Sequence, residues 1–244
     1  MMNQLTRHAV LTLSALALFS VGCSSIPLKS PFGGKPTTSL GESTLPPQDA
    51  AKVCVSTAKQ LHERGDLAQA AAMLERGRAL APKGYDYSRH LASLYSDLDA
   101  AKAETEYQAS LAQSPSDADL WNDYGYFQYR QNRFADAEKS YARALELDPQ
   151  HEKANMNLAV NLVSQNRLPE AFTRFENSVG PAAAHQNIGV LLAKQGRRDE
   201  ARVAFGNALQ ITPNSQVATA FLKAMDNPPT DASSEISLTS FGSK

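Results

Sequence analysis

The stretch WNDYGYFQYRQNRFADAEKSYARALELDP, residues 121–149, decides the fold. It opens on Trp121, Tyr124 and Gly125, returns to a small residue at Ala137 with Tyr141 four further on, and ends through Ala144, Leu145 and Pro149. Intervals of three and four place these residues along one face of each of two helices. Asn132 lies between them and tolerates the left-handed backbone of a tight turn. Small residues let the two helices approach closely, large ones fill the remaining space, and the proline ends the second helix by removing a donor.

The same pattern recurs on both sides of this stretch. Ala70/Leu74, Ala103/Tyr107, Ala137/Tyr141, Ala171/Phe175 and Ala201/Phe205 follow one another at 33, 34, 34 and 30 residues. Seven positions after each alanine stands a small residue: Gly77, Ser110, Ala144, Ser178 or Ala208. Twelve after stands Pro82, Pro115, Pro149 or Pro213, missing only in the fourth unit. Twelve before stands Ala58, Gly125, Ala159 or Gly189, with Leu91 the exception. Gly65, Asp99, Asn132, Asn166 and Gly196 mark the turn inside each unit.

A period near 34 with these residues resembles the tetratricopeptide repeat (TPR) family over about residues 51–213. The resemblance implies an all-α fold, a right-handed αα superhelix (solenoid) of about five TPR helix pairs plus a C-terminal capping helix, SQVATAFLKAMD. The fourth unit is four residues short and has Gly180-Pro181 as stop and start, so its second helix is expected to be about one turn short. Leu91 is expected to hold the second helix pair further apart.

Trp121, Tyr124, Phe127 and Phe134 fall on core positions of the repeat. Tyr126, Tyr129 and Arg130, with Asp119 and Asn122, project toward the concave side, which TPR proteins generally use for extended peptides or partner helices. The same face continues through Lys59 and His62, Ser88 and Tyr95, Met156 and Val160, and Gln186 and Lys194, a groove expected to have an apolar centre. Asn157 and Asn187 occupy positions where some family members hold a peptide backbone. The candidate partner-binding residues are therefore Tyr95, Asn122, Tyr126, Tyr129, Arg130, Met156, Asn157 and Asn187. The carboxylate clamp of chaperone-binding TPR proteins, a lysine and an asparagine four apart, has no match in Val55/Lys59, Ser88/Ala92, Asn122/Tyr126, Met156/Val160 or Gln186/Val190.

The first residues have another character. Arg7 and His8 precede the apolar run AVLTLSALALFSVG, which has the length of a signal-peptide core and is short for a membrane span. Ser20-Val21-Gly22-Cys23 resembles a bacterial lipobox and implies lipidation at Cys23; Ser20 stands where an aliphatic residue is usual. Ordinary cleavage with Cys23 unmodified is the alternative, and would permit a Cys23–Cys54 bridge. Ser24 resembles an outer-membrane sorting residue. The expected organisation is a signal peptide over 1–22, a lipidated cysteine and disordered tether over 23–47, the array with its capping helix over 48–226, and a disordered tail over 227–244.

A formal charge of -1 over 244 residues, with 20% charged residues, lacks the basic footprint of a nucleic-acid binder. His8, His62, His90, His151 and His185 form no His-Glu-x-x-His spacing, and no Gly-rich phosphate loop or nucleophile elbow occurs. No enzyme activity, cofactor or metal is expected. The sequence instead resembles the TPR lipoproteins of tight-adherence and type IV pilus systems. This implies a lipid-anchored scaffold in the cell envelope, facing the periplasm from the outer membrane, with a protein or peptide partner and no nucleic acid. The alternative is a general peptide-binding or envelope-maintenance (chaperone-like) module.

Overall fold

The computed structural model describes residues 45–226 of the chain. The expected signal peptide, lipidated Cys23 and C-terminal tail lie outside these residues, as does the expected 23–47 tether except its last three residues, of which Pro47 begins α1. Eleven helices follow one another, and no strand occurs among the described residues: α1 (Pro47–Glu63), α2 (Leu67–Leu80), α3 (Tyr87–Leu98), α4 (Ala100–Gln113), α5 (Ala118–Arg130), α6 (Phe134–Leu147), α7 (Glu152–Ser164), α8 (Leu168–Val179), α9 (Pro181–Lys194), α10 (Arg198–Ile211) and α11 (Gln216–Asp226). Each odd helix packs on the even helix after it, giving five pairs, and α11 packs on α10. α7 also touches both α5 and α9, so the odd helices form one continuous layer there.

The repeat positions are where the core is built. Ala70, Ala103, Ala137, Ala171 and Ala201 are completely buried, and Leu74, Tyr107, Tyr141, Phe175 and Phe205 are nearly so. At two of the twelve-before positions only glycine fits. A Cβ on Gly125 would stand 2.7 Å from the Tyr141 ring, and one on Gly189 would stand 2.9 Å from the Phe205 ring. Both rings use the missing side chain as a socket. The core falls into two clusters, one running from Ala58 to Phe127 and the other from Ala137 to Phe221.

Four of the five intra-unit turns contain a positive-φ residue: Gly65, Asn132, Asn166 and Gly196. The second unit solves the turn differently. A single residue, Asp99, joins α3 to α4, and its side chain accepts hydrogen bonds from the backbone N–H groups of Ala101 and Lys102. Leu91, in the same unit, is completely buried.

The fourth unit departs from expectation. α8 has 12 residues where α6 and α10 have 14, a loss of two residues and so about half a turn. The connection absorbs the rest, because Gly180 alone, at φ 83°, stops α8 and Pro181 starts α9. Ser178 is consequently exposed near the helix end rather than in a close helix contact. Beyond the last proline, α11 closes the core with a buried Ala218 and with Phe221 stacked on Phe205 at 4.9 Å.

An arginine precedes the second helix in the last three units and ties neighbouring units together. Arg133 donates to Glu104 of the previous unit at 2.6 Å and pairs with Asp136 at 3.2 Å. Arg167 reaches Glu138 at 2.6 Å and Glu170 at 2.7 Å, and Arg197 reaches Asn166 at 2.6 Å and Glu200 at 2.5 Å. Each is part-exposed, so each contributes little to stability on its own; what recurs is a link from one unit to the one before it.

Candidate functional site

α3 and α5 present their polar stripes to each other across a cleft of about 640 Å³. From α3 come Arg89, His90, Ser93, Ser96 and Asp97; from α5 come Asp123, Tyr126, Phe127 and Arg130; Tyr107 of α4 forms part of the wall. The intervals of three and four along each helix explain why these side chains share a face. Tyr126 is 50% exposed, whereas the other tyrosine, phenylalanine and tryptophan rings of the described residues are buried or half-buried. A second, small cavity between α1 and α3 is lined by Lys59, His62, Tyr85, His90 and Ser93 among others. His90 and Ser93 line both, so the two cavities share a wall on α3, with α1 on one side and α5 on the other.

The walls are held by charge pairs between units. Arg130 donates to Asp97 at 2.6 Å, and that hydrogen bond holds the guanidinium proton more firmly than usual. Arg89 donates to Asp117 at 2.6 Å, and Asp117 also caps α5 by accepting from the Leu120 N–H. Asp123 is left with the second Arg89 nitrogen at 3.8 Å and the Asn122 amide at 3.4 Å. Burial pushes its carboxyl above the usual range, and Arg89 opposes the shift without cancelling it.

The sequence-derived candidates divide among three places. Tyr126 and Arg130 line the cleft. Tyr129, Met156 and Asn157 sit half-buried at the α5–α7 contact, with the Tyr129 hydroxyl 3.2 Å from the Ser164 hydroxyl and the Asn157 amide donating to Asn122 at 2.9 Å. Asn187, on α9, is half-buried and remote in sequence from this groove.

Two candidates are buried. Tyr95 is only 6% exposed and does not face the groove: its hydroxyl donates to Glu75 of α2 at 2.5 Å and Lys102 of α4 lies over its ring. Two residues separate Tyr95 from Ser93, a rotation of about 200° on a helix, and burial with the Glu75 carboxylate raises its pKa to about 12. Asn122 is 4% exposed, with its carbonyl already occupied by Asn157. At α3–α5 the walls carry ion pairs, while Met156 and Val160 of α7 are half-buried.

Sequence reasoning passed over Arg89, His90, Ser93, Asp97 and Asp123. Their signal was a charged and hydroxyl-bearing stripe on α3 opposite one on α5. Among the described residues, no three histidine, cysteine, aspartate or glutamate side chains converge as a metal site. Cys54 is buried between α1 and its neighbours, near Gly77 and Tyr87.

Residues 55–216, about two thirds of the chain, match the family model described as the middle TPR-like domain of cilia and flagella-associated protein 70. The type IV pilus assembly protein PilF of Pseudomonas aeruginosa is 28% identical over 123 residues, a match covering 48% of this chain and 48% of PilF. The chain thus spans about half the length of that curated relative. The solved structure of Pseudomonas aeruginosa PilF superposes with a TM-score of 0.54 at 20% identity, covering 76% of this chain and 95% of PilF. That of PilW, described as a widely conserved type IV pilus biogenesis factor, gives 0.54 at 20% identity, covering 75% and 95%. With five helix pairs in the repeat register and a family match across all of them, the chain belongs to the TPR-like family.

Proposed function

We propose that this chain is a lipid-anchored TPR scaffold of the bacterial envelope that holds an extended segment of a protein partner in the groove across α1, α3 and α5, and so assists assembly of a pilus or secretion complex. The observation that carries the binding role is that two cavities lie against the same α3 residues, His90 and Ser93, one toward α1 and the other toward α5. Binding, rather than catalysis, fits a site whose charged groups are mostly closed in pairs. The partial relationship to PilF supports the pilus setting, and the lipobox-like Ser20-Val21-Gly22-Cys23 supports the anchor. Among the described residues no helix is long and apolar enough to cross a membrane.

A photo-crosslinking amino acid at Ser93, in the native host, is expected to capture a component of the pilus or secretion machinery, while the same group at exposed Val203 on α10 captures none. Capture of many unrelated exported chains at Ser93 would instead identify a general peptide-handling module. Identical partners from both positions would remove the groove from the account.

Tyr126→Ala is expected to weaken that capture by about 2 kcal/mol, as loss of an aromatic anchor at an interface does. Its melting temperature should stay close to wild type, because half of the ring already faces solvent. The two readouts together separate an anchor from a structural residue. For the lipid, feeding cells a clickable fatty acid should label the protein, and Cys23→Ala should abolish the label. An unlabelled wild-type chain would point to ordinary cleavage at this site.

A further inference from the structure

We infer that the α3–α5 cleft selects a basic side chain, lysine or arginine, of the bound segment, placing its cation between the Asp123 carboxylate and the Tyr126 ring. This rests on the groove reading above and adds the chemistry of its occupant. The charges around the cleft assign it. Arg130 and Asp97 satisfy each other at 2.6 Å, and Arg89 is committed to Asp117 at 2.6 Å. Asp119 lies within 3.2 Å of the His151 ring nitrogen on α7. Asp123 is the carboxylate without a close counter-charge: Arg89 reaches it only at 3.8 Å, and Lys153 contributes a weaker attraction still.

An occupant that covers the cleft removes water from Asp123. Burying a carboxylate without a partner is costly, so an apolar or acidic occupant is disfavoured while a cationic one is not. An anionic side chain would also have to displace Asp97 or Asp117 from its arginine. Tyr126 stands three residues from Asp123 on α5, hence on the same face, and both line the cleft. An exposed ring beside a carboxylate is suited to a cation, which the ring face attracts as well. The cleft, at about 640 Å³, has room for either long side chain.

Selection of a random dodecapeptide phage library on the purified full chain tests this, with wild type, Asp123→Asn and Tyr126→Ala compared in parallel. Asp123 is half-exposed and caps no helix, so Asp123→Asn should keep the wild-type circular dichroism. Peptides taken by the wild type are expected to share lysine or arginine at one position. Asp123→Asn should lose that preference and bind the selected peptides about tenfold more weakly. A selected peptide with norleucine replacing its lysine should bind Asp123→Asn more tightly than wild type, because the neutral amide spares the cost of burying an unpaired carboxylate. Tyr126-dependent peptides without a basic position would overturn the cation site and leave the groove standing. Peptides indifferent to Tyr126→Ala would overturn both.

Discussion

Ala137→Arg is expected to unfold the C-terminal part of the array while the first unit persists. Ala137 is completely buried where α6 meets α5, and the cluster it opens runs from Tyr141 through Phe175 and Phe205 to Phe221. A long cationic side chain there must either displace this packing or bury an unpaired charge, and either route costs about several kcal/mol. That is a large fraction of the stability of an ordinary domain. The outcome should be uneven, because units of a solenoid lean on their neighbours and the residues around α1 and α2 belong to the other cluster. Hydrogen exchange checks it: amides of α6–α10 should lose protection by a much larger factor than those of α1 and α2. Equal loss along the whole chain would mean that the two clusters unfold as one unit, against the division in the core.

Why the repeat was legible while much of the groove was not follows from what each depends on. Ala103, Ala137 and Ala171 are completely buried on second helices that each pair with the first helix of their own unit, so the burial recurs whenever the unit does and leaves a period in the sequence. Tyr95 is different. It was expected in the groove because it stands 34 residues before Tyr129, yet its ring turns to Glu75 on α2 and Lys102 on α4. Nothing periodic announces that a carboxylate and an ammonium group lie within reach on two other helices. The cleft pairs Arg89–Asp117 and Arg130–Asp97 occur once each, between particular units, and repetition cannot reveal them.

Other features were visible but needed a different question. Arg133, Arg167 and Arg197 stand immediately before second helices, each with an acid three residues later, at Asp136, Glu170 and Glu200. Attention to turn glycines and asparagines passes over that recurrence. The short fourth unit shows a further limit. Four missing residues could be taken from a helix or from a connection, and spacing alone does not say which; Gly180 and Pro181 let the connection shrink to one residue, so α8 gave up only two.

The same substitution, glycine to alanine, is expected to act with opposite signs at different places in this array. Gly206, within α10, has nothing within 4 Å of a built Cβ, so Gly206→Ala should stabilise by about 0.5–1 kcal/mol through helix propensity alone. Gly125 gains the same propensity, but its Cβ would lie 2.7 Å from one Tyr141 ring carbon and 2.8 Å from the next. Tyr141 is among the most buried side chains of the molecule, and its ring has nowhere to withdraw. Overpacking of this kind costs about 1–3 kcal/mol and outweighs the gain, so Gly125→Ala should destabilise. Gly189→Ala should do likewise, since Phe205 is met at 2.9 Å and is backed by Phe221 stacked on it. Gly77 is intermediate, with Tyr87 at 3.1 Å and Cys54 at 3.3 Å, and its variant should fall between the others. Denaturant titration of the four variants gives the order. Replacing Tyr141 by leucine in the Gly125→Ala background should then recover part of the loss, because the smaller side chain vacates the contested space and the two changes couple. If Gly125→Ala instead stabilised as much as Gly206→Ala, the ring would not be using the glycine as its socket, and the close approach of α5 and α6 would need another cause.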